Sequence, residues 1–191
     1  MTTTHVPVSG IVTECSRAWC LATYNCTGNK AGSSRLHEGR RSSFSGAFRG
    51  RGIDVYPIEF DAPYIVQPRP LVALDISTNG QGAIELEPAV AVRLAEAVAS
   101  YAAEQVEVGD SVTFEGSDEY GDPTGISISV TRLSDVVFEY GSGAPRYSSF
   151  GAVEIAISGK GIGKPDVIGV DSAIAAQLSR SVAAVAREVT R

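Results

Sequence analysis

A chain of 191 residues, 43% hydrophobic and 20% charged, has the apolar content of a globular protein and length for one domain or two small ones. That content excludes a wholly disordered chain, which could not offset its ordering entropy. A formal net charge of -6 excludes whole-molecule attraction to nucleic acid or anionic lipid.

The first stretch, residues 1–52, is read as a basic head containing cysteines and a histidine. Residues 16–53 hold seven basic side chains against Glu38 alone, while the rest of the chain is acidic. Met1–His5 has no basic flank followed by an apolar segment, so no secretory leader is expected. No apolar run is long enough to span a bilayer, so no membrane partner is expected either. The three cysteines, an odd number, fall within twelve residues. A secreted disulfide framework uses an even number spread along the chain, so a reducing, cytoplasmic setting is expected.

Cys15, Cys20, Cys26 and His37 follow the pattern Cys-x4-Cys-x5-Cys-x10-His. Thiolate and imidazole are the preferred ligands of zinc, and four of them close a tetrahedral structural site. His5 is an alternative fourth ligand, and Trp19 is expected to cover the site. Residues 33–52 are rich in Gly, Ser and Arg and have little apolar surface with which to order themselves. A structural zinc ion would supply on the order of 10 kcal/mol for that. The alternative is three ordinary buried thiols and a surface histidine.

Arg35, Arg40, Arg41, Arg49 and Arg51, with Phe44 and Phe48 between them, have the composition of a segment that grips phosphates and stacks on bases. The other reading is a solvated loop docked on the acidic body of the same chain.

Residues 53–106 and 107–191 read as two copies of one unit. Glu87–Val98 aligns without a gap to Asp171–Val182. Val90, Leu94, Val98 and Tyr101 match Ile174, Leu178, Val182 and Val185, and in each copy they fall on one helical face. Pro88 suits a first helical position, and Asp171 suits an N-cap. Before each helix comes an alternating strand, Val72–Ile76 or Val153–Ile157, a Gly-containing turn (Thr78–Gly82 or Gly159–Pro165), and a short apolar run. Further strands are expected at 53–60, 64–66, 112–115, 125–131 and 135–140, with Pro57 marking an edge or bulge. Residues 141–146 read as a loop, and 104–110 as the connection between units. The expected fold is α+β: antiparallel sheet from two strand–turn–strand–helix units, with both amphipathic helices packed on it.

Two motifs imitate functional loops. Gly159–Pro165 resembles a phosphate loop, but Pro165 stands where Ser or Thr must follow Gly-Lys, so a hairpin turn is expected. Asp118, Glu119 and Asp122 lack the alternating ligands of a calcium loop and read as a solvated turn. With both histidines in the first 37 residues, no nucleophile–base pairing is legible.

Glu14-Cys15-Ser16-Arg17-Ala18-Trp19-Cys20 and His37-Glu38-Gly39, followed by strands and an Ala-rich helix, resemble a group of small uncharacterised actinobacterial and actinophage proteins with a Cys-Pro-x-Trp-Cys start. Here Ser16 replaces the proline and the Trp-Cys pair is displaced by one residue. The resemblance covers roughly residues 10–105 and implies a zinc-stabilised fold.

The expected function is a non-enzymatic binding or regulatory protein acting through protein–protein contacts, with a homo-oligomer compatible. The alternatives are a nucleic-acid-binding protein using residues 35–51 and a phage virion or assembly component.

Overall fold

A computed structural model describes residues 15, 17–21, 26, 33–46, 52–65, 67–76, 83–133, 136–139, 145–149 and 153–191. Its strands are β1 (Arg35–Glu38), β2 (Ser42–Ser45), β3 (Gly52–Asp61), β4 (Leu71–Ile76), β5 (Ala83–Leu86), β6 (Ser111–Ser117), β7 (Pro123–Arg132), β8 (Val136–Glu139), β9 (Pro145–Ser149), β10 (Val153–Gly159) and β11 (Asp166–Val170). Two long helices, α1 (Pro88–Ala102) and α2 (Ser172–Val189), each follow a hairpin. The fold is α+β with antiparallel sheets, as the alternating apolar patterns require.

One sheet has the order β1-β3-β4-β5, with β2 also paired to β3; the second has the order β11-β10-β7-β6. Strands β8 and β9 form a separate two-stranded hairpin between β7 and β10. Set side by side, β2-β3-β4-β5-α1 and β6-β7-β10-β11-α2 are the same antiparallel meander followed by a helix. Their registers agree as well: Phe44 opposes Ile53 in β2–β3, and Phe114 opposes Ile128 in β6–β7.

The helices exchange partners. α2 packs against β3, β4 and β2 of the first sheet, while α1 packs against β7, β10 and β6 of the second and also against β4 of the first. One apolar cluster joins both helices to the inner faces of both sheets, through Ile53, Val55, Leu74 and Ile84 on one side and Ile128, Val130, Ile155 and Ile168 on the other. Fully burying each such side chain contributes about 1.5–3 kcal/mol.

Every buried position of α1 has a buried counterpart in α2: Ala91, Leu94, Ala95, Val98 and Tyr101 match Ala175, Leu178, Ser179, Val182 and Val185, and α2 buries Ala186 and Val189 as well. Val90 and Ile174, expected on these faces, are only half-buried. Alanines take the innermost places because the two helices lie close together. Asp171 caps α2 as expected, its Oδ1 accepting from the Ile174 N–H at 2.7 Å. Pro88 opens α1, but the Glu87 carboxylate makes no cap and accepts from Arg69 Nη1 at 3.1 Å instead.

Several local expectations change. Tyr64 and Ile65 belong to a turn, not a strand, and Val66 lies outside the described residues. Pro145 and Arg146, read as loop, begin β9, while 141–144 lie outside the described residues. Residues 33–46, read as unable to order themselves, contain β1 and β2. These strands need no core of their own because β3 supplies the hydrogen-bonding edge. Pro57 is inside a central strand rather than at an edge. Its carbonyl accepts from Gly39 N–H, so its ring nitrogen faces the same gap between β1 and β2, where no ladder bond is lost. The Gly159–Pro165 turn closes the β10–β11 hairpin, with Gly159 and Gly161 at positive φ (134° and 85°). The Thr78–Gly82 turn lies outside the described residues.

Candidate metal centre

β1 pairs antiparallel with the C-terminal half of β3, setting His37 opposite Glu59 and Arg35 opposite Asp61. Alternation along both strands puts these four side chains on one face, beyond the apolar positions Ile53 and Val55. His37 is 1% exposed there.

The cysteines come to His37 from the preceding chain. Residues 17–20 form a turn closed by Cys20 N–H donating to the Arg17 carbonyl (3.1 Å). Cys20 then bridges to Gly39, and Leu21 N–H donates to the Glu38 carbonyl (2.9 Å), which pins this turn beside the end of β1. Cys26 is fully buried.

The ligand atoms of Cys15, Cys20, Cys26 and His37 all lie within 4.8 Å of one another. His37 Nδ1 is 3.2 Å from both Cys15 Sγ and Cys26 Sγ. A sulfur and a nitrogen bound to one tetrahedral zinc ion are separated by about 3.5 Å, so these two pairs already stand close to metal-bound spacing. All three cysteines are thiols. The quartet is the one expected from the sequence, and it could hold a metal ion.

The surroundings fit that use. Arg17 N–H donates to Cys15 Sγ (3.4 Å), a bond that stabilises thiolate charge. His37 Nε2, on the far side of the ring, faces Asp61 Oδ2 at 3.9 Å, and Arg35 holds Asp61 at 3.6 Å. At that distance Asp61 makes no hydrogen bond to the ring, and its negative charge acts through space to raise the basicity of the imidazole. Trp19 stands edge-on to His37, with ring centroids 6.4 Å apart at 74°, and packs against the core. It covers the site as expected.

Glu59 was not legible as part of the site. It is 1% exposed, and its Oε1 accepts from both Arg17 Nε (2.8 Å) and Arg17 Nη2 (2.6 Å), while Oε2 is buried without a hydrogen-bond partner. The ion pair ties the Cys15–Cys20 turn to β3. One signal was available: alternation from Ile53 and Val55 puts Glu59 on the apolar face, where a carboxylate is anomalous.

The electrostatics favour neutral ligands in the absence of metal. Burial pushes the Cys26 thiol up to about 12, and hydrogen bonding of the thiol with Cys15 and Cys20 adds to this. Burial also lowers the His37 pKa, against the opposing pull of Glu59 and Asp61. A dication reverses the thiol preference by coordinating thiolates and releasing their protons.

Among the described residues the arginines are not gathered into one open patch. Arg35 is paired with Asp61, and Arg41 lies 3.3 Å from Glu38, 3.7 Å from Asp54 and 4.0 Å from the centroid of the Tyr56 ring. Arg40 is exposed, and Arg49 and Arg51 lie outside the described residues, as does His5. Asp118 closes its own turn, Oδ1 accepting from the N–H groups of Tyr120 and Asp122 (both 2.9 Å). No helix among the described residues is long and apolar enough to cross a membrane.

No protein-family model matches this chain, and no curated protein matches it in sequence.

Proposed function

We propose that this chain is a non-enzymatic binding or regulatory protein, tied at its N-terminal head by a structural zinc ion and acting through contacts with another protein in a reducing, cytoplasmic setting. The observation that carries the reading is the convergence of Cys15, Cys20, Cys26 and His37, with ligand atoms within 4.8 Å of one another. Four protein ligands of this chemistry fill a tetrahedral shell and leave no position for substrate, which is the pattern of structural rather than catalytic zinc. Three reduced thiols in one cluster agree with a reducing compartment.

The engagement of Arg35 and Arg41 by carboxylates of the same sheet favours a protein partner over a phosphate backbone, which would have to displace Asp61, Glu38 and Asp54.

Metal analysis of the purified chain is the test, read together with melting in the presence and absence of a chelator. One zinc per chain and a lower melting temperature in chelator are expected. A chain without stoichiometric zinc whose melting ignores chelator would sink the reading. Salt-dependent retention on DNA or RNA, abolished by reversing the charges of Arg40 and Arg41, would replace the protein partner with nucleic acid.

A further inference from the structure

The two meander–helix units meet as the halves of a symmetric dimer meet. In such an interface a residue near the twofold axis touches its own equivalent, and every contact away from the axis occurs twice with roles exchanged. Both signatures are present. At the centre, Ser179 Oγ donates to the Ala95 carbonyl at 2.7 Å, and the two residues are 84 positions apart, the offset that aligns the helices. Away from the centre, Gly116, at the end of β6, lies under Ile84 of β5. Gly46, which follows β2, lies under Ile168 of β11. The register that equates Phe44 with Phe114 also equates Gly46 with Gly116, and the helical offset equates Ile84 with Ile168.

Each helix also packs on the sheet of the other unit, α2 on β3, β4 and β2 and α1 on β7, β10 and β6, although α1 keeps a contact with β4 of its own unit. What makes the pairing intramolecular is residues 103–110 alone. That connection leaves α1 through Glu104, a non-glycine residue at φ 58°. It is then held down by Arg132, whose Nη2 lies 3.3 Å from Glu104 Oε2, whose Nη1 donates to the Val106 carbonyl, and whose backbone pairs with Gly109 and Asp110. A short connection containing a strained residue is the usual hinge for exchange between identical chains.

We propose that the surface between the units is a self-complementary dimer interface, and that its second possible partner is another copy of this chain. In the exchanged form the first unit of one copy closes on the second unit of the next, and the resulting dimer carries two cysteine–histidine heads. The covalent connection favours the closed monomer only through effective concentration. This inference is independent of the metal reading, because none of its contacts involves Cys15, Cys20, Cys26 or His37.

The test uses the full chain with a protease site inserted between Glu107 and Val108, where both flanking residues are exposed. Isotopically light and heavy preparations are nicked, unfolded together, refolded and weighed by native mass spectrometry. The expected result is that the halves stay associated and that about half of the pairs are light–heavy hybrids. A second variant deletes Gln105–Val108 so that the chain cannot fold back, and its mass in light scattering is expected to double. Halves that separate in native buffer, or a deletion variant that melts cooperatively as a monomer, would overturn the proposal. Should the deletion variant fail to fold, the nicked chain decides.

Discussion

Ser179 and Ala95 occupy the same place in two copies of one helix, and the hydroxyl of the first donates to the carbonyl of the second at 2.7 Å. This bond joins α1 directly to α2, and so short a reach requires small residues at these buried positions. Replacing Ser179 with Ala makes the two positions identical and removes one buried hydrogen bond, with an expected loss of about 1 kcal/mol. Ser179→Leu forces the helices apart and should lose about 2–3 kcal/mol. Chemical denaturation of the two variants checks the order; a leucine variant as stable as the alanine one would contradict the close approach.

The sheet edges make a parallel case. A Cβ at Gly116 would stand 2.8 Å from Ile84 Cγ1 and 2.9 Å from Thr124 Oγ1, and one at Gly46 would stand 2.5 Å from Ile168 Cγ1. Both alanine substitutions are expected to destabilise by about 1–3 kcal/mol, since overpacking there displaces a core isoleucine. Gly163→Ala, where a Cβ meets nothing within 4 Å, is the control and should melt like the native chain.

The head rests on Glu59. Removing Arg17 leaves that carboxylate buried without a counter-charge, so Arg17→Ala should destabilise by about 3 kcal/mol. Adding Glu59→Gln should return part of that loss, because a neutral amide is less costly to bury. Thermal melts of the single and double variants decide it, and a double variant weaker than the single one would contradict the pairing.

Asp61 acts from behind the imidazole, 3.9 Å from His37 Nε2. Asp61→Asn should lower metal affinity by about 10–100-fold. The global melt of the metal-free form should scarcely change, because Asp61 is the last residue of β3 and is only half-buried. Competition against a chromogenic chelator measures the first quantity and calorimetry the second.

The metal-free form should lose stability at both ends of the pH scale. Burial lowers the folded-state pKa of His37 below its ordinary 6.5, so its contribution is complete above 6.5 and is lost as acid protonates the ring. Burial raises Cys26 from 9.0 to about 12, so its contribution is complete below 9.0 and falls as alkali approaches 12. Metal should abolish the alkaline loss, because coordination stabilises the thiolate, and should steepen the acid one, because protons compete for all four ligands. Denaturation across pH with and without metal checks both arms. An alkaline arm unchanged by metal would show that Cys26 is not a ligand.

The sequence by itself determined the local elements with strong periodicity: both helices, the hairpins before them, the Asp171 cap and the copying of one unit by the other. It also named Cys15, Cys20, Cys26 and His37, because thiol and imidazole are rare side chains whose clustering is visible along the chain. Only the tertiary structure decided that β1 and β2 are strands. Their residues carry almost no apolar alternation, and what orders them is the open edge of β3, contributed by another part of the chain. It also decided which sheets the helices meet, α2 on the first copy's sheet and α1 on β7, β10 and β6 of the second with β4 of the first, since periodicity shows that a face is apolar but not which surface it meets. Arg17, Glu59 and Asp61 joined the metal centre for the same reason: ion pairs depend on which strands lie side by side, and that register is set by the packing of the whole molecule.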